Sequence, residues 1–190
     1  MQHIRRAVFL DRDGVINRAI VRNGRPYPPQ NLSAIEILPG VSEALQFLHK
    51  AGWLLIVVSN QPDVARGTAK LADVEAINQH LQKCLPIDEF RICYHDSIDM
   101  CNCRKPLPGA LLSAASKHGI DLTSSYMIGD RWRDTEAGER AGCKTIFLDY
   151  GYDEKQPAKY NYRVRSLAEA VDIIKAMSQA DCSAANKIAR

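Results

Sequence analysis

The chain has 190 residues, of which 46% are hydrophobic and 25% charged, and its formal net charge is +3 at pH 7. A domain of this length can bury a sizeable core without disulfides. The small charge argues against a protein that binds nucleic acid through a strong basic excess. The longest apolar run, residues 53–58, is too short to cross a membrane, and the N-terminus does not resemble a signal peptide. We therefore expect a cytoplasmic monomer whose cysteines stay reduced.

Short apolar segments alternate with segments of helical periodicity along the chain. The strand-like segments are residues 6–11, 54–60, 91–95, 125–130 and 144–149. Several are too continuously apolar to have a solvent-facing side, which is typical of a parallel sheet covered on both faces. Apolar stripes predict helices over 41–48, 71–81 and 167–174. This alternation predicts a three-layer, doubly wound (Rossmann-like) α/β fold with a parallel sheet.

The predicted domain covers residues 1–178. Residues 179–190 are polar and rich in small side chains, and we expect them to form a flexible tail. Residues 18–39 contain four prolines and are expected to form a long loop over the carboxyl edge of the sheet.

Polar residues end three of the predicted strands, namely Asp11, Ser59 with Asn60, and Asp130. In doubly wound folds, ligands bind beyond these strand ends. In "FLDRDGVIN", Asp11 and Asp13 are two positions apart, so one carboxylate can attack while the other transfers protons. Crowded carboxylates repel each other and any phosphate, so a cation is expected, and Mg²⁺ with Asp130 as a further ligand fits that need. The structural alternative is an aspartate-rich turn with Gly14 at positive φ.

A second cluster lies in "RICYHDSIDMCNCRKP", residues 91–106. Cys93 and His95 lie at i and i+2 on a strand end and point to one side. Cys101 and Cys103 follow a five-residue gap, which completes a Cys₃His set typical of a closed tetrahedral zinc site. Such a site leaves no coordination position for a reactive water. We therefore expect a structural zinc ion that holds together the loop before Lys105. Buried core thiols are the alternative.

Four segments resemble the four motifs of the haloacid dehalogenase superfamily, in the order "DRDGVIN", "SNQ", the lysine of "CRKP" and "GDRWRD". The match spans roughly residues 6–150. The resemblance implies that Asp11 is a nucleophile that becomes aspartyl-phosphate. It also implies that Asp13 is the general acid/base, whose backbone carbonyl helps to hold Mg²⁺. The implied activity is that of a Mg²⁺-dependent phosphomonoesterase.

The same resemblance implies roles for the other motif residues. Ser59 and Asn60 would bind the transferring phosphoryl group, Lys105 would neutralise it, and Asp130 would complete the magnesium site. An anion that attacks an anion needs its charge countered in advance, so these roles agree with the chemistry of the residues.

The zinc-loop pattern C-x-H…C-x-C-R-K-P resembles the D-glycero-D-manno-heptose 1,7-bisphosphate phosphatases and the related histidinol-phosphate phosphatases, which are capless members of the superfamily. The stretches between the motifs offer no separate cap domain. "NQPDVARG" resembles the N-Q-x-x-x-A-R-G of the heptose group, which makes Arg66 a substrate-binding candidate. We therefore expect a sugar bisphosphate as substrate, namely D-glycero-D-manno-heptose 1,7-bisphosphate, hydrolysed at its 7-phosphate. The other candidates for binding substrate or phosphate are Arg12, Gln61, Arg104 and Arg131.

Two departures keep other substrates open. The five residues between His95 and Cys101 are few for the heptose group and closer to histidinol phosphatases, and Arg131 stands where heptose enzymes usually carry lysine. Histidinol phosphate or another small phosphomonoester is therefore the alternative substrate. The non-enzymatic alternative is a zinc-containing interaction module, against which the presence of all four motifs argues.

Some further residues have two interpretations each. The arginines of the loop after the nucleophile, Arg18, Arg22 and Arg25, could hold a second phosphate or simply be solvated. Asp134 could support the magnesium site or only favour the N-terminus of the following helix.

Overall fold

The computed structural model describes the backbone of residues 5–188 and the side chains of residues 5–180. The strands are β1 (Ala7–Leu10), β2 (Ile20–Arg22), β3 (Arg25–Tyr27), β4 (Leu54–Asn60), β5 (Glu89–Cys93), β6 (Tyr126–Gly129), β7 (Lys144–Leu148) and β8 (Tyr162–Val164). Six of them form one sheet in the order β5-β4-β1-β6-β7-β8. All pairs in this sheet are parallel. The predicted parallel α/β fold is confirmed.

Helices cover both faces of the sheet. They are α1 (Val41–Lys50), α2 (Leu71–Cys84), α3 (Gly109–His118), α4 (Trp132–Ala141) and α5 (Leu167–Ile188). One core cluster joins alternate strand residues such as Val8 and Leu10 to α1, α2 and α5. The other joins Ala7 and Phe9 to α3 and α4. Residues of one strand thus alternate between two cores, which explains why the strands are apolar on both faces.

All five predicted strands are present, but helices α3 and α4, the hairpin and the edge strand β8 were missed. The buried face of α4 consists of polar and small residues, including Thr135 and Gly138, so it carries no apolar stripe. A Cβ at Gly138 would lie 2.6 Å from the Cβ of Met127, which shows how closely the helix approaches the sheet. Close packing through small residues leaves little signal in a hydrophobic pattern.

The segment expected as an irregular loop contains the antiparallel hairpin β2–β3. Asn23 and Gly24, at its turn, have φ values of 49° and 73°. An Asn-Gly pair with two positive φ angles is the preferred sequence of a two-residue hairpin turn. That signal was present in the sequence. The hairpin does lie over the carboxyl edge of the sheet, as expected, because Pro26 and Tyr27 line the pocket found there.

The C-terminal helix extends further than the predicted domain. Its backbone is helical to Ile188, whereas the expected tail begins at residue 179. Residues 189–190 lie outside the described residues. The flexibility of the tail therefore stays a prediction. None of the helices within residues 5–188 is both long and apolar enough to span a bilayer.

Strand order determines where the functional residues meet. The central strand β1 pairs with β4 and β6, with Leu10 opposite both Val57 and Ile128. The backbone amide of Asp11 then donates to the Ile128 carbonyl at 2.9 Å. Because the three strands are parallel and in this register, their carboxyl ends lie side by side. This edge of the sheet carries the candidate active site.

Candidate active site

A pocket of about 80 Å³ lies at the carboxyl ends of the central strands. The hairpin forms part of its wall, and the zinc loop contributes Arg104 and Lys105. Its polar lining residues are Asp11, Asp13, Ser59, Asn60, Arg104, Lys105, Arg131, Arg133 and Asp134. The pocket therefore combines residues from all four motif segments, as the resemblance to haloacid dehalogenases implies.

The centre of the pocket is an ion-pair network around Lys105. Its ammonium donates to Asp11 Oδ1 at 2.8 Å and to the Val58 carbonyl at 2.6 Å, and it pairs with Asp134 Oδ1 at 2.6 Å. Burial raises the pKa of Asp11 to about 6, although Lys105 opposes this shift. Burial lowers the pKa of Lys105, but Asp11 and Asp134 outweigh it and raise the pKa overall. The lysine is therefore a fixed positive charge beside the candidate nucleophile.

Asn60 contacts the backbone of Lys105 with both ends of its amide. Its Nδ2 donates to the Lys105 carbonyl at 2.9 Å, and its Oδ1 accepts from the Lys105 amide at 3.0 Å. The sequence suggested phosphoryl binding for Asn60, whereas the structure shows its side chain occupied by the loop. Ser59 is buried, and its Oγ accepts from Gln61 Nε2 at 3.0 Å.

Asp13 is held by donors on both oxygens. Arg12 donates to Oδ1 at 3.1 Å and to Oδ2 at 2.9 Å, Asn17 donates to Oδ1 at 2.9 Å, and Gln61 donates to Oδ2 at 2.7 Å. Arg12 is fully buried and also donates to Asn78 on α2 at 2.9 Å. The expectation that Arg12 and Gln61 bind substrate therefore differs from their placement. Their donors face Asp13 and the protein interior, so both orient the candidate acid/base.

Three buried carboxylates form a candidate magnesium site. Oxygens of Asp11, Asp130 and Asp134 lie within 4.8 Å of one another. Both Asp130 oxygens are buried and receive no hydrogen bond of ordinary geometry from the described residues. Burial raises the pKa of Asp130 well above its usual value, and Asp11 and Asp134 add to this, while Tyr152 acts weakly in the opposite sense. A buried carboxylate that Tyr152 and Arg131 compensate only in part is costly, so a bound cation would satisfy it, and hard oxygen ligands suit Mg²⁺.

Gly14 makes room for this site. It has φ of +94°, and a Cβ there would lie 1.9 Å from Asp130 Oδ2. Only glycine allows this backbone conformation and this approach together. The side chain of Asp13 lies outside the three-carboxylate cluster, which is compatible with a contribution through its backbone carbonyl alone.

The Cys₃His residues also come together. The Sγ atom of Cys103 lies 3.3 Å from that of Cys93 and 3.5 Å from that of Cys101, and His95 Nδ1 is 3.4 Å from the Cys103 sulfur. Zn–S bonds of ~2.3 Å arranged tetrahedrally place sulfurs ~3.8 Å apart, close to these separations. The four residues therefore fit a structural zinc ion with His95 as a ligand through Nδ1.

The candidate arginines differ in their partners. Arg66 makes a bidentate pair with Asp96 of the zinc loop, with both distances 2.7 Å, and does not line the pocket. Arg131 lines the pocket but donates to Glu154 through Nε at 2.8 Å and through Nη2. Arg104 also lines the pocket and donates to the His95 carbonyl at 3.0 Å.

The arginines of the hairpin segment lie apart from the pocket. Arg18 forms an exposed bidentate pair with Glu36 at 2.7 and 2.8 Å. Neither Arg22 nor Arg25 lines the pocket. The solvated interpretation of these three residues fits their placement better than a phosphate-binding role.

The sequence interpretation missed four contributors: Asn17, Asn78, Arg133 and Glu154. Asn17 and Arg133 lie within the motif segments "DRDGVIN" and "GDRWRD", which was the available signal, whereas Asn78 and Glu154 act through contacts made by the fold and belong to no motif. Asp134 was considered, and it proves to contact Lys105 directly while its other oxygen accepts from the Arg131 amide at 3.0 Å. It therefore serves both the site and the start of α4.

Comparison with known proteins agrees with this geometry. A family described as HAD-hydrolase-like matches residues 102–172. A crystal structure of D,D-heptose 1,7-bisphosphate phosphatase from B. bronchiseptica, complexed with magnesium and phosphate, is similar with a TM-score of 0.75 and 27% identity, over 90% of this chain and 99% of that one. The presence of magnesium in that relative agrees with the three-carboxylate site.

Curated relatives match along most of the chain. The D-glycero-β-D-manno-heptose-1,7-bisphosphate 7-phosphatase of Helicobacter pylori (strain ATCC 700392 / 26695) is 35% identical over 176 residues, which are 90% of this chain and 98% of the relative. The Escherichia coli K12 protein of the same name is 37% identical over 154 residues, which are 75% of this chain and 78% of the relative. The chain therefore belongs to the haloacid dehalogenase-like hydrolases, in the family of the heptose-1,7-bisphosphate 7-phosphatases.

Proposed function

We propose that the protein is a Mg²⁺-dependent phosphatase that removes the 7-phosphate of D-glycero-D-manno-heptose 1,7-bisphosphate. The observation that carries this proposal is the buried Asp11–Lys105 pair beside three clustered carboxylates, in a chain related to these phosphatases over most of its length. The phosphate release expected from such a site needs a nucleophile, a proton donor and a compensating charge, and the pocket supplies a candidate for each.

In the first proposed step, a carboxylate oxygen of Asp11 attacks the phosphorus atom. The bond between phosphorus and the sugar oxygen breaks, and that oxygen takes a proton from Asp13. The product is an aspartyl-phosphate and the free sugar hydroxyl. In the second step, Asp13 takes a proton from a water molecule, which attacks phosphorus and releases inorganic phosphate. Asp11 and the protonated Asp13 are then restored, so atoms and charges balance.

Charge compensation would come from several groups. Lys105 would neutralise the transferring phosphoryl group, with Ser59 and Asn60 at the pocket wall. Asp11 and Asp130, with the Asp13 backbone carbonyl, would hold Mg²⁺, and the bound ion would offset the repulsion between the anionic nucleophile and phosphate. Asp134 lies where it can support both the cation and Lys105.

The zinc site would have no chemical role in this scheme. Its four ligands leave no open position. It would instead fix the loop that leads from Cys103 into Arg104 and Lys105, which line the pocket. The monomeric state and the cytoplasmic location remain proposals from composition.

Phosphate release from a substrate panel tests the assignment. The panel holds the α and β anomers of the heptose bisphosphate, histidinol phosphate and a small aryl phosphate, each with and without Mg²⁺. We expect the highest kcat/KM for a heptose bisphosphate. After removal of Mg²⁺, we expect no phosphate release from it. A higher kcat/KM for histidinol phosphate, which the short zinc loop favours, would reject the heptose assignment while leaving the phosphatase chemistry in place.

A further inference from the structure

A second cleft adjoins the catalytic pocket and has a volume of about 310 Å³. It lies between the zinc loop and the start of α4, where its walls include Met100, Leu107 and Trp132. Arg104, Lys105 and Arg133 line both cavities. A substrate whose reacting phosphate lies beside Lys105 can therefore continue into this cleft past the two arginines.

The size of the catalytic pocket makes such an extension necessary. At about 80 Å³ it is much smaller than the ~300–1,000 Å³ of typical small-molecule sites. A space of this size can hold the reacting phosphate of a sugar bisphosphate, and the rest of the molecule needs room beyond it. The adjoining cleft is the neighbouring space that shares three basic residues with it, Arg104, Lys105 and Arg133.

Arg133 differs from the other arginines near the site. The guanidinium groups of Arg12, Arg66 and Arg131 are each bonded to a carboxylate. Arg133 forms no ion pair with any residue in the part of the chain that the structure describes, and its guanidinium carbon lies 4.8 Å from the centre of the Trp132 ring. Contact with an aromatic face fixes a guanidinium without neutralising it.

The cleft also contains one acidic residue, Asp96, and its charge is already compensated. Both of its carboxylate oxygens accept from Arg66 at 2.7 Å. Arg104 is 3.9 Å from the same carboxylate and directs its other terminal nitrogen to the His95 carbonyl. Positive charge without a partner therefore remains at Arg133, at the boundary between the two cavities.

We propose that Arg133, together with Arg104, binds the non-reacting phosphate of the substrate in this second cleft. This inference rests on the proposed bisphosphatase function and adds the residue that recognises the second phosphate. A guanidinium can donate two parallel hydrogen bonds to a phosphate, which combines charge with orientation. Binding the remote phosphate also aligns the reacting one, so the interaction contributes to kcat/KM.

The test compares Arg133→Gln with a matched control, Arg140→Gln. Arg140 lies on the same helix but pairs with Glu136 and lines neither cavity. Each protein is assayed with a sugar bisphosphate and the corresponding monophosphate, here heptose 1,7-bisphosphate and heptose 7-phosphate. We expect Arg133→Gln to lower kcat/KM for the bisphosphate by at least ~10-fold, because charge-assisted hydrogen bonds to its second phosphate are lost. For the monophosphate, kcat/KM should fall by no more than ~2-fold. Arg140→Gln should change neither.

A second variant guards against a folding defect. Arg133→Lys keeps a cation over Trp132 but loses the bidentate geometry, so its kcat/KM for the bisphosphate should lie between those of the native protein and Arg133→Gln. Equal losses on both substrates in these two variants would overturn the inference. Failure of the heptose assignment would be seen separately, in the substrate panel with the native protein. The variant test compares a bisphosphate with its monophosphate, so it measures the contribution of the second phosphate for any sugar that the enzyme hydrolyses.

Discussion

The side chain of Asn60 forms two hydrogen bonds with the backbone of Lys105, accepting from its amide at 3.0 Å and donating to its carbonyl at 2.9 Å. These residues are 45 positions apart and belong to different motif segments. The pair fixes the backbone from which the Lys105 ammonium reaches Asp11. Asn60 therefore has a positioning role that its motif alone does not reveal.

Replacing Asn60 by alanine should lower kcat by at least ~10-fold and destabilise the protein by ~1–3 kcal/mol, because two backbone groups lose their partner. Asn60→Asp keeps an acceptor for the Lys105 amide but offers no donor to the Lys105 carbonyl, so it should also lose stability. Phosphate-release rates and thermal melts measure both effects, with the exposed Asn31→Ala as control. Native kcat in Asn60→Ala would show that Lys105 is positioned without it.

Asp11→Asn should abolish turnover and leave the fold intact, because an amide is nearly isosteric with the carboxylate but cannot form the acyl phosphate. Phosphate release should not exceed the blank, while circular dichroism stays native. Asp13→Asn should retain a trace of activity, since loss of general acid/base catalysis costs ~10²–10⁴-fold. The exposed Asp172→Asn is the matched control. Measurable multiple turnover by pure Asp11→Asn protein would exclude the proposed nucleophile.

Metal analysis should find one zinc per chain in carefully purified protein. Cys101→Ala should lower the free energy of unfolding by at least ~2 kcal/mol and Tm by ~4–8 °C, because zinc binding is coupled to folding of the loop. It should also lower kcat, since the loop carries Lys105. The exposed Cys84→Ala should change neither quantity. Zinc-free protein with native Tm and rate would contradict the structural role.

Magnesium affinity should fall as the pH is lowered from 8 through about 6. Burial raises the pKa of Asp11 to about 6 and raises that of Asp130 as well. The metal needs the charged carboxylates, so at lower pH binding must displace protons, and the binding constant should drop by up to ~10-fold per pH unit for each proton released. Calorimetry in buffers of different ionisation enthalpy counts those protons. A constant affinity from pH 5.5 to 8 would oppose this expectation.

The strand ends were predictable because their chemistry is local. A continuous apolar run that stops at an aspartate, as in β1 before Asp11, marks both a buried parallel strand and the edge where ligands bind. The Cys₃His cluster was also predictable from its spacing, since Cys93 ends β5 and His95 follows it by two positions. In these cases a few consecutive residues determine both the local structure and the chemistry of the site.

The partners of the charged side chains were not predictable in this way. Arg12 stands between two aspartates of the site, yet its side chain turns inward to Asn78 on α2. Arg66 fits a substrate-binding motif, yet it bonds to Asp96. Both outcomes depend on contacts between segments distant along the chain, which periodicity does not specify. Helix α4 was missed for a related reason, since small residues replace the apolar stripe on its buried face.

Gly14 shows that a residue can serve the reaction by what it lacks. Any side chain at this position would occupy the volume of the Asp130 carboxylate, since its Cβ would lie 1.9 Å from Oδ2. Gly14→Ala should therefore impair magnesium binding as severely as removal of a ligand, although Gly14 donates no atom to the ion. Screens that score positions by the functional group removed would pass over it. Redesign of this pocket must treat that empty volume as fixed, with the same priority as the carboxylates around it.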